Sequence, residues 1–194
     1  MSLEKANRLL AKHKYEQAFR AYVAHAEKCP TDAAVAYARA GKCCQHFNVL
    51  KSQKKVSAEA TLIFQSDRDA ARTMFSKSLE HDPNLVEALI GLADALPRSS
   101  EKRLEMMLRA LSIQPHYMTL INVGDFYRSV QRDLKRALEF YQQAVTNRPL
   151  DRTAYDRLEQ LCHRLERPEE AKRWKANGKR QRRANRAMTN RSNI

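Results

Sequence analysis

At 194 residues the chain is one domain or a short array of repeats with enough length to bury a core, and its four glycines, at 41, 91, 124 and 178, argue against tight hairpins and phosphate-cradling loops. Helix is therefore expected nearly throughout, and no apolar run approaches the roughly 20 residues that span a bilayer. The formal charge of +14 is uneven: residues 167–194 hold ten Lys or Arg against Glu169 and Glu170, a net of +8, whereas residues 1–166 carry a net of +6.

The opening MSLEKANRLL lacks the apolar core and small-residue cleavage site of a secretory signal. The chain is expected to be soluble and intracellular, cytoplasmic in preference to nuclear, with no membrane partner. Cys29, Cys43, Cys44 and Cys162 form no CxxC pair and fall within helical patterns, which suits reduced, packed thiols.

In chain order, a first unit spans about 2–32, with Ala6 and Leu9 on a leading helix and Ala18, Tyr22, His25 and Pro30 on the trailing one, at spacings of four, three and five. A second, 33–85, opens with AAVAYARAGKCCQHF and ends with Ala71, Phe75, Ser78 and Pro83 on the same spacing. Between its two helices lies NVLKSQKKVSAEATLIFQ, an insertion expected to lengthen the helix hairpin, because Leu62, Ile63 and Phe64 are costly to leave in water. A third, 86–116, has a shortened turn, LPRSSEKR, where Ser99 or Ser100 can cap the trailing helix, and a weaker trailing pattern of Arg103, Met107, Ala110 and Pro115. The fourth, 117–150, places Val123, Gly124 and Tyr127 ahead of Ala137, Tyr141, Ala144 and Pro149. A fifth, 151–175, carries RTAYDRLEQLCHRL and then Pro168, Ala171 and Trp174, and a basic extension, 176–194, follows.

Small, aromatic, small and proline at a period near 34 resembles the tetratricopeptide repeat (TPR), and the resemblance covers nearly the whole chain. It implies an all-α, right-handed α-solenoid of about five helix hairpins, the second elongated by the insertion. Small side chains let the paired helices approach, the aromatic fills the space between hairpins, and proline ends the trailing helix. Tyr22, Phe75 and Tyr141 are accordingly read as core, not as platforms for bases; Tyr37, Phe47, Tyr117 and Phe126 are the aromatics left for stacking or interhelical packing. The elongated second pair with FSKSLEHDPNLVEALIGLADAL is also similar to the interferon-induced tetratricopeptide proteins that bind RNA ends, from which no contact residue is carried over.

The resemblance places ligand contacts on the leading helices. Helical spacing puts Asn7, Tyr37, Gln45, Glu87, Ile90, Asp94, Ile121, Asp125, Arg128, Asp156, Gln160 and Arg164 on or near that face, which is expected to hold a protein partner in a concave groove. Of the five sites where TPR clamps for chaperone C-termini carry lysine, arginine or asparagine, here Leu3, Asn7, Ala38, Glu87 and Gly91, only Asn7 matches, and Glu87 would repel a carboxylate; the clamp is rejected.

The extension, with Lys175 just before it, concentrates Lys179, Arg180, Arg182, Arg183 and Arg186 with no apolar stripe. Three roles fit it: a solvated tail or import signal, a phosphate contact to RNA, or a contact to an acidic protein. If Arg148, Arg152, Arg157, Arg164 and Arg173 line one continuous surface with the tail, RNA gains; if acids separate them, a protein adaptor gains.

No cofactor, metal, small-molecule substrate or enzymatic activity is expected. Cys43, Cys44 and His46, or Cys162 and His163, are neighbours pointing about 100° apart on a helix, with no second pair at zinc-ligand spacing. A homodimer through the exposed first repeat is a further expectation. The function read from the sequence is thus a non-enzymatic adaptor, with an RNA-associated protein as the alternative.

Overall fold

The computed structural model describes residues 2–52 and 67–191, with the side chains of 47–52, 67 and 185–191 outside that description. Ten α-helices and no strand are found among the described residues. They are α1 (Leu3–Ala11), α2 (Tyr15–Ala26), α3 (Ala33–Ser52), α4 (Asp67–His81), α5 (Val86–Ala95), α6 (Glu101–Ile113), α7 (Tyr117–Phe126), α8 (Leu134–Asn147), α9 (Arg152–Arg164) and α10 (Pro168–Arg191). A π turn, Tyr127–Gln131, extends α7. The chain divides into two compact units, 1–113 and 114–194.

In the first unit consecutive helices pack on one another from α1 to α6, and α3 also meets α5. The trailing-helix pattern has the predicted physical meaning. Tyr22 and Phe75 are fully buried, and the small sites Ala18, Ala71 and Ser78 are closed around them. Gly41 on α3 and Gly91 on α5 flank Phe75 so closely that a Cβ on either would lie 2.8 or 2.3 Å from its ring. Here glycine is required by the approach of two helices to one aromatic, not by backbone conformation. The Ser78 hydroxyl donates to the Ala34 carbonyl at 2.7 Å, so the polar member of the small set is satisfied inside the hairpin.

The third hairpin departs from the pattern with a reason. Met107 fills the aromatic place and is buried, while Arg103, at the first small site, folds its guanidinium back onto the Ala93 carbonyl at 2.9 Å. Its trailing helix begins just after LPRSS, with the Ser100 carbonyl accepting from the Arg103 and Leu104 amides as the first turn of the helix. The leading helix α3 runs 20 residues against nine for α1 and ten for α5, and so carries the start of the insertion; its remainder, including Leu62, Ile63 and Phe64, lies outside the described residues.

In the second unit α7 packs on α8, α8 on α9 and α9 on α10. Tyr141 is fully buried between Ala137 and Ala144, and a Cβ on Gly124 would meet its ring at 2.5 Å. The last helix continues unbroken through the expected boundary near 175. Although the extension has no apolar stripe in sequence, Gly178 is buried in it, where a Cβ would touch the Cβ of Tyr155 at 3.0 Å. One small residue thus seats a polar helix on α9.

Three hairpin turns use left-handed residues that are not glycine: His13, Arg132 and Glu166. After α1 and α9 the turn is a paired closure, with the Lys14 amide donating to Leu9 and His13 to Leu10, and Arg167 donating to Cys162 and Glu166 to His163. A side chain in this region costs about 1–2 kcal/mol that glycine avoids, partly offset by glycine's freer unfolded chain. Glu166→Gly is therefore expected to raise stability by roughly 0.5–1 kcal/mol, read as a higher urea midpoint with an unchanged m-value.

Candidate partner-binding face

In the first unit, leading-helix side chains are tied into the scaffold. Asn7 accepts from the Tyr22 hydroxyl at 2.7 Å and from Arg39 at 2.6 Å. Gln45 donates to the Gly91 carbonyl at 3.2 Å, Lys42 pairs with Glu87, and Asp94 pairs with Arg103 at 3.5 Å. Ile90 is half-buried and Asp94 exposed. Tyr37 corrects the expectation: it is 7 % exposed, stacked on His81 of α4 under the Lys77 ammonium, and cannot meet a partner.

In the second unit the same reading fails at Ile121, which is 2 % exposed. Asp125 is the centre of the face. Its Oδ1 accepts from the Tyr141 hydroxyl at 2.7 Å and Arg128 at 3.0 Å, and Oδ2 accepts from Arg157 of α9 at 3.2 Å. The Nε atoms of Arg128 and Arg157 are buried without a hydrogen-bond partner. The arrangement repeats that of the first hairpin: an acceptor on one leading helix, a hydroxyl from the trailing aromatic, and an arginine from the next leading helix. Arg39 and Arg157 each stand 32 residues beyond their acceptors. The sequence carried this signal, an arginine one period after an inward Asn or Asp beside a tyrosine, but the aromatic pattern alone does not find it.

Farther along α9, Asp156 accepts from Arg152 at 2.9 Å and Glu159 takes Lys175 of α10 at 2.8 Å. Gln160 and Arg164 are exposed. Two residue sets that spacing kept apart meet here, since Asp156 shares a pocket of about 120 Å³ with Lys175, Lys179 and Arg182. Arg180 and Arg183 are exposed on α10, and Arg186 lies outside the described side chains. The cations named for a continuous surface are interleaved with acids: Arg157 meets Asp125 and Arg152 meets Asp156, while Arg148 lies over the Tyr117 ring, 5.9 Å from its centroid. Tyr117 and Phe126 are both buried, so neither offers a stacking face, and Phe47 lies outside the described side chains.

Burial sets the titration of the interior. It pushes Tyr117 up to about 12, helped by its hydrogen bond to Asp151, and raises Tyr22, Tyr141 and Tyr155 in the same direction. Cys43 is pushed up to about 12 by burial and Cys162 is raised too, so both are protonated thiols at neutral pH. Among the described residues no group of three or more His, Cys, Asp or Glu is placed to hold a metal ion. Raised native values mean that these groups ionise first in the unfolded chain. Their stabilising contribution is complete below the unfolded values, about 8.5 for the thiols and about 10 for the phenols, and is lost as pH climbs from there toward 12. The urea midpoint should fall between pH 8 and pH 11, and Tyr141→Phe should flatten that fall.

No protein-family model matches the sequence and no curated protein matches it, but many solved structures share its fold. The crystal structure of MamA superposes with a TM-score of 0.75 at 15% identity, covering 94% of this chain and 96% of that one. PilF of Pseudomonas aeruginosa gives 0.67 at 14% identity, over 92% and 74% of the two chains. YrrB, described as a TPR protein with an unusual peptide-binding site, gives 0.66 at 18% identity over 99% and 90%. No helix among the described residues is long and apolar enough to cross a membrane. Paired helices with recurring small and aromatic sites among the described residues, and these neighbours, establish an all-α tetratricopeptide-repeat fold.

Proposed function

We propose that the chain is a non-enzymatic adaptor that holds a protein partner against the face of its leading helices. The observation that carries this reading is the alternation of charge on that face in the second unit, where Asp125 and Asp156 sit between Arg128, Arg157 and Arg152, and Glu159 beside them takes Lys175 of α10. Such a surface suits the mixed donors and acceptors of a polypeptide, whereas a polyphosphate would be repelled by each carboxylate it crosses. The peptide-binding site in the description of YrrB, a chain of the same fold, supports it further.

The test is affinity purification of the tagged chain after nuclease digestion. A stoichiometric protein partner should be retained, and should be lost when the exposed pair Gln160 and Arg164 is changed to Gln160→Lys and Arg164→Glu with helicity intact. Recovery of partners only when RNA is left undigested would overturn the reading.

A further inference from the structure

From Ala171 onward α10 carries nine Lys or Arg and no acid. Its cations are nevertheless not equivalent. Lys172 pairs with Glu169 and Lys175 with Glu159, both at 2.8 Å, but Lys179 and Arg182 have no acidic partner among the described residues. Positions 175, 179 and 182 follow one another at four and three residues, so they share a face of the helix, and that face lines the pocket with α9. Trp174, half-buried and packed on Tyr155 with ring centroids 6.1 Å apart, supplies its apolar wall.

We infer that this cleft between α9 and α10 is a binding site for an acidic peptide segment, taking one Glu or Asp side chain against Lys179 and Arg182 with its methylene stem over Trp174. The inference rests on the protein-binding reading and gives the partner its chemistry. Size limits the guest: about 120 Å³ is of the order of the roughly 150 Å³ cavity that takes one benzene, room for one side chain. Charge limits it too. Asp156 and Glu159 remain on the pocket wall, where they accept from peptide amides but repel a second phosphate of a nucleic-acid backbone. Trp174 is half-buried and tilted at 53° to Tyr155, so it stands as one wall of the cleft.

Trp174 is the one tryptophan of the chain, so its emission reports this cleft directly. An acetylated peptide of alternating Glu and Leu should change that emission saturably, and less at raised salt, while the matching Gln–Leu peptide should not. Lys179→Gln with Arg182→Gln should weaken the titration by about tenfold or more, the loss of two exposed charge contacts, with the circular dichroism unchanged. No Trp174 response to the acidic peptide, or a response indifferent to the double substitution, overturns the site. A tighter response to single-stranded RNA of equal charge would overturn it in favour of nucleic acid. If the site fails while a nuclease-resistant partner is still captured and still lost on Gln160→Lys with Arg164→Glu, the adaptor reading stands without it.

Discussion

Gly91→Ala is expected to destabilise the first unit by about 2 kcal/mol, although glycine to alanine inside a helix ordinarily gains about 1 kcal/mol. The sign is reversed by one contact. The new Cβ would lie 2.3 Å from Cε1 and Cζ of Phe75, well inside van der Waals contact, and Phe75 has no solvent-exposed surface into which to swing. The same three ring carbons also lie against Gly41, where a Cβ would stand at 2.8 Å, so the ring is confined by α3 as well as α5. Phe75→Leu alone leaves a gap and should also destabilise, by about 1–2 kcal/mol. The two together should cost less than their sum, because the methyl of alanine enters the space the ring vacates; a coupling of about 1 kcal/mol in a double-mutant cycle is the measurement. Additive values would mean that Phe75 and Gly91 are not locked together and that the small-aromatic-small spacing has no packing basis here.

That lock explains why most of the fold was legible in the sequence. Ala18, Ala71, Ala137 and the aromatics Tyr22, Phe75 and Tyr141 keep step because each hairpin must present the same hole and the same ring to its neighbours, and residue size is visible in a sequence. What was not legible depended on direction and length of side chains. Arg103 at a small site looked like a fault in the pattern, but its long stem lets the guanidinium leave the crowded position and reach the Ala93 carbonyl. Spacing alone puts Tyr37 and Ile121 on the open face, but a leading helix is packed on two sides, so a shift of one residue, about 100°, carries a side chain from solvent into the interior. The extension looked unanchored because Gly178, which fixes α10 against Tyr155, has no side chain to show up in an apolar stripe. The repeated Asn7–Arg39 and Asp125–Arg157 bonds show only when residues one period apart are compared, since neither local stretch marks a long-range polar pair.

Asp125→Ala should cost about 3 kcal/mol, the largest single loss expected in the second unit. The carboxylate satisfies three donors at once: the Tyr141 hydroxyl, Arg128 and Arg157. Its removal leaves that hydroxyl unpaired against a fully buried ring, and leaves two guanidiniums, 24% and 33% exposed, facing each other with no counter-charge. Partial exposure keeps the figure below the about 3–5 kcal/mol limit for a fully buried pair, while the count of three donors keeps it above the about 1 kcal/mol of one ordinary hydrogen bond. Asp125→Asn distinguishes charge from hydrogen bonding, and the chain already contains the outcome: in the first hairpin Asn7 serves a tyrosine hydroxyl and one arginine. The amide should therefore hold Tyr141 and one guanidinium, cost about 1–2 kcal/mol, and recover part of that when Arg128→Ala removes the second charge. Urea unfolding of the four proteins decides it. If alanine costs less than about 0.5 kcal/mol, the range of an ordinary surface substitution, Asp125 does not bind the leading helices together and the parallel with Asn7 is one of geometry alone.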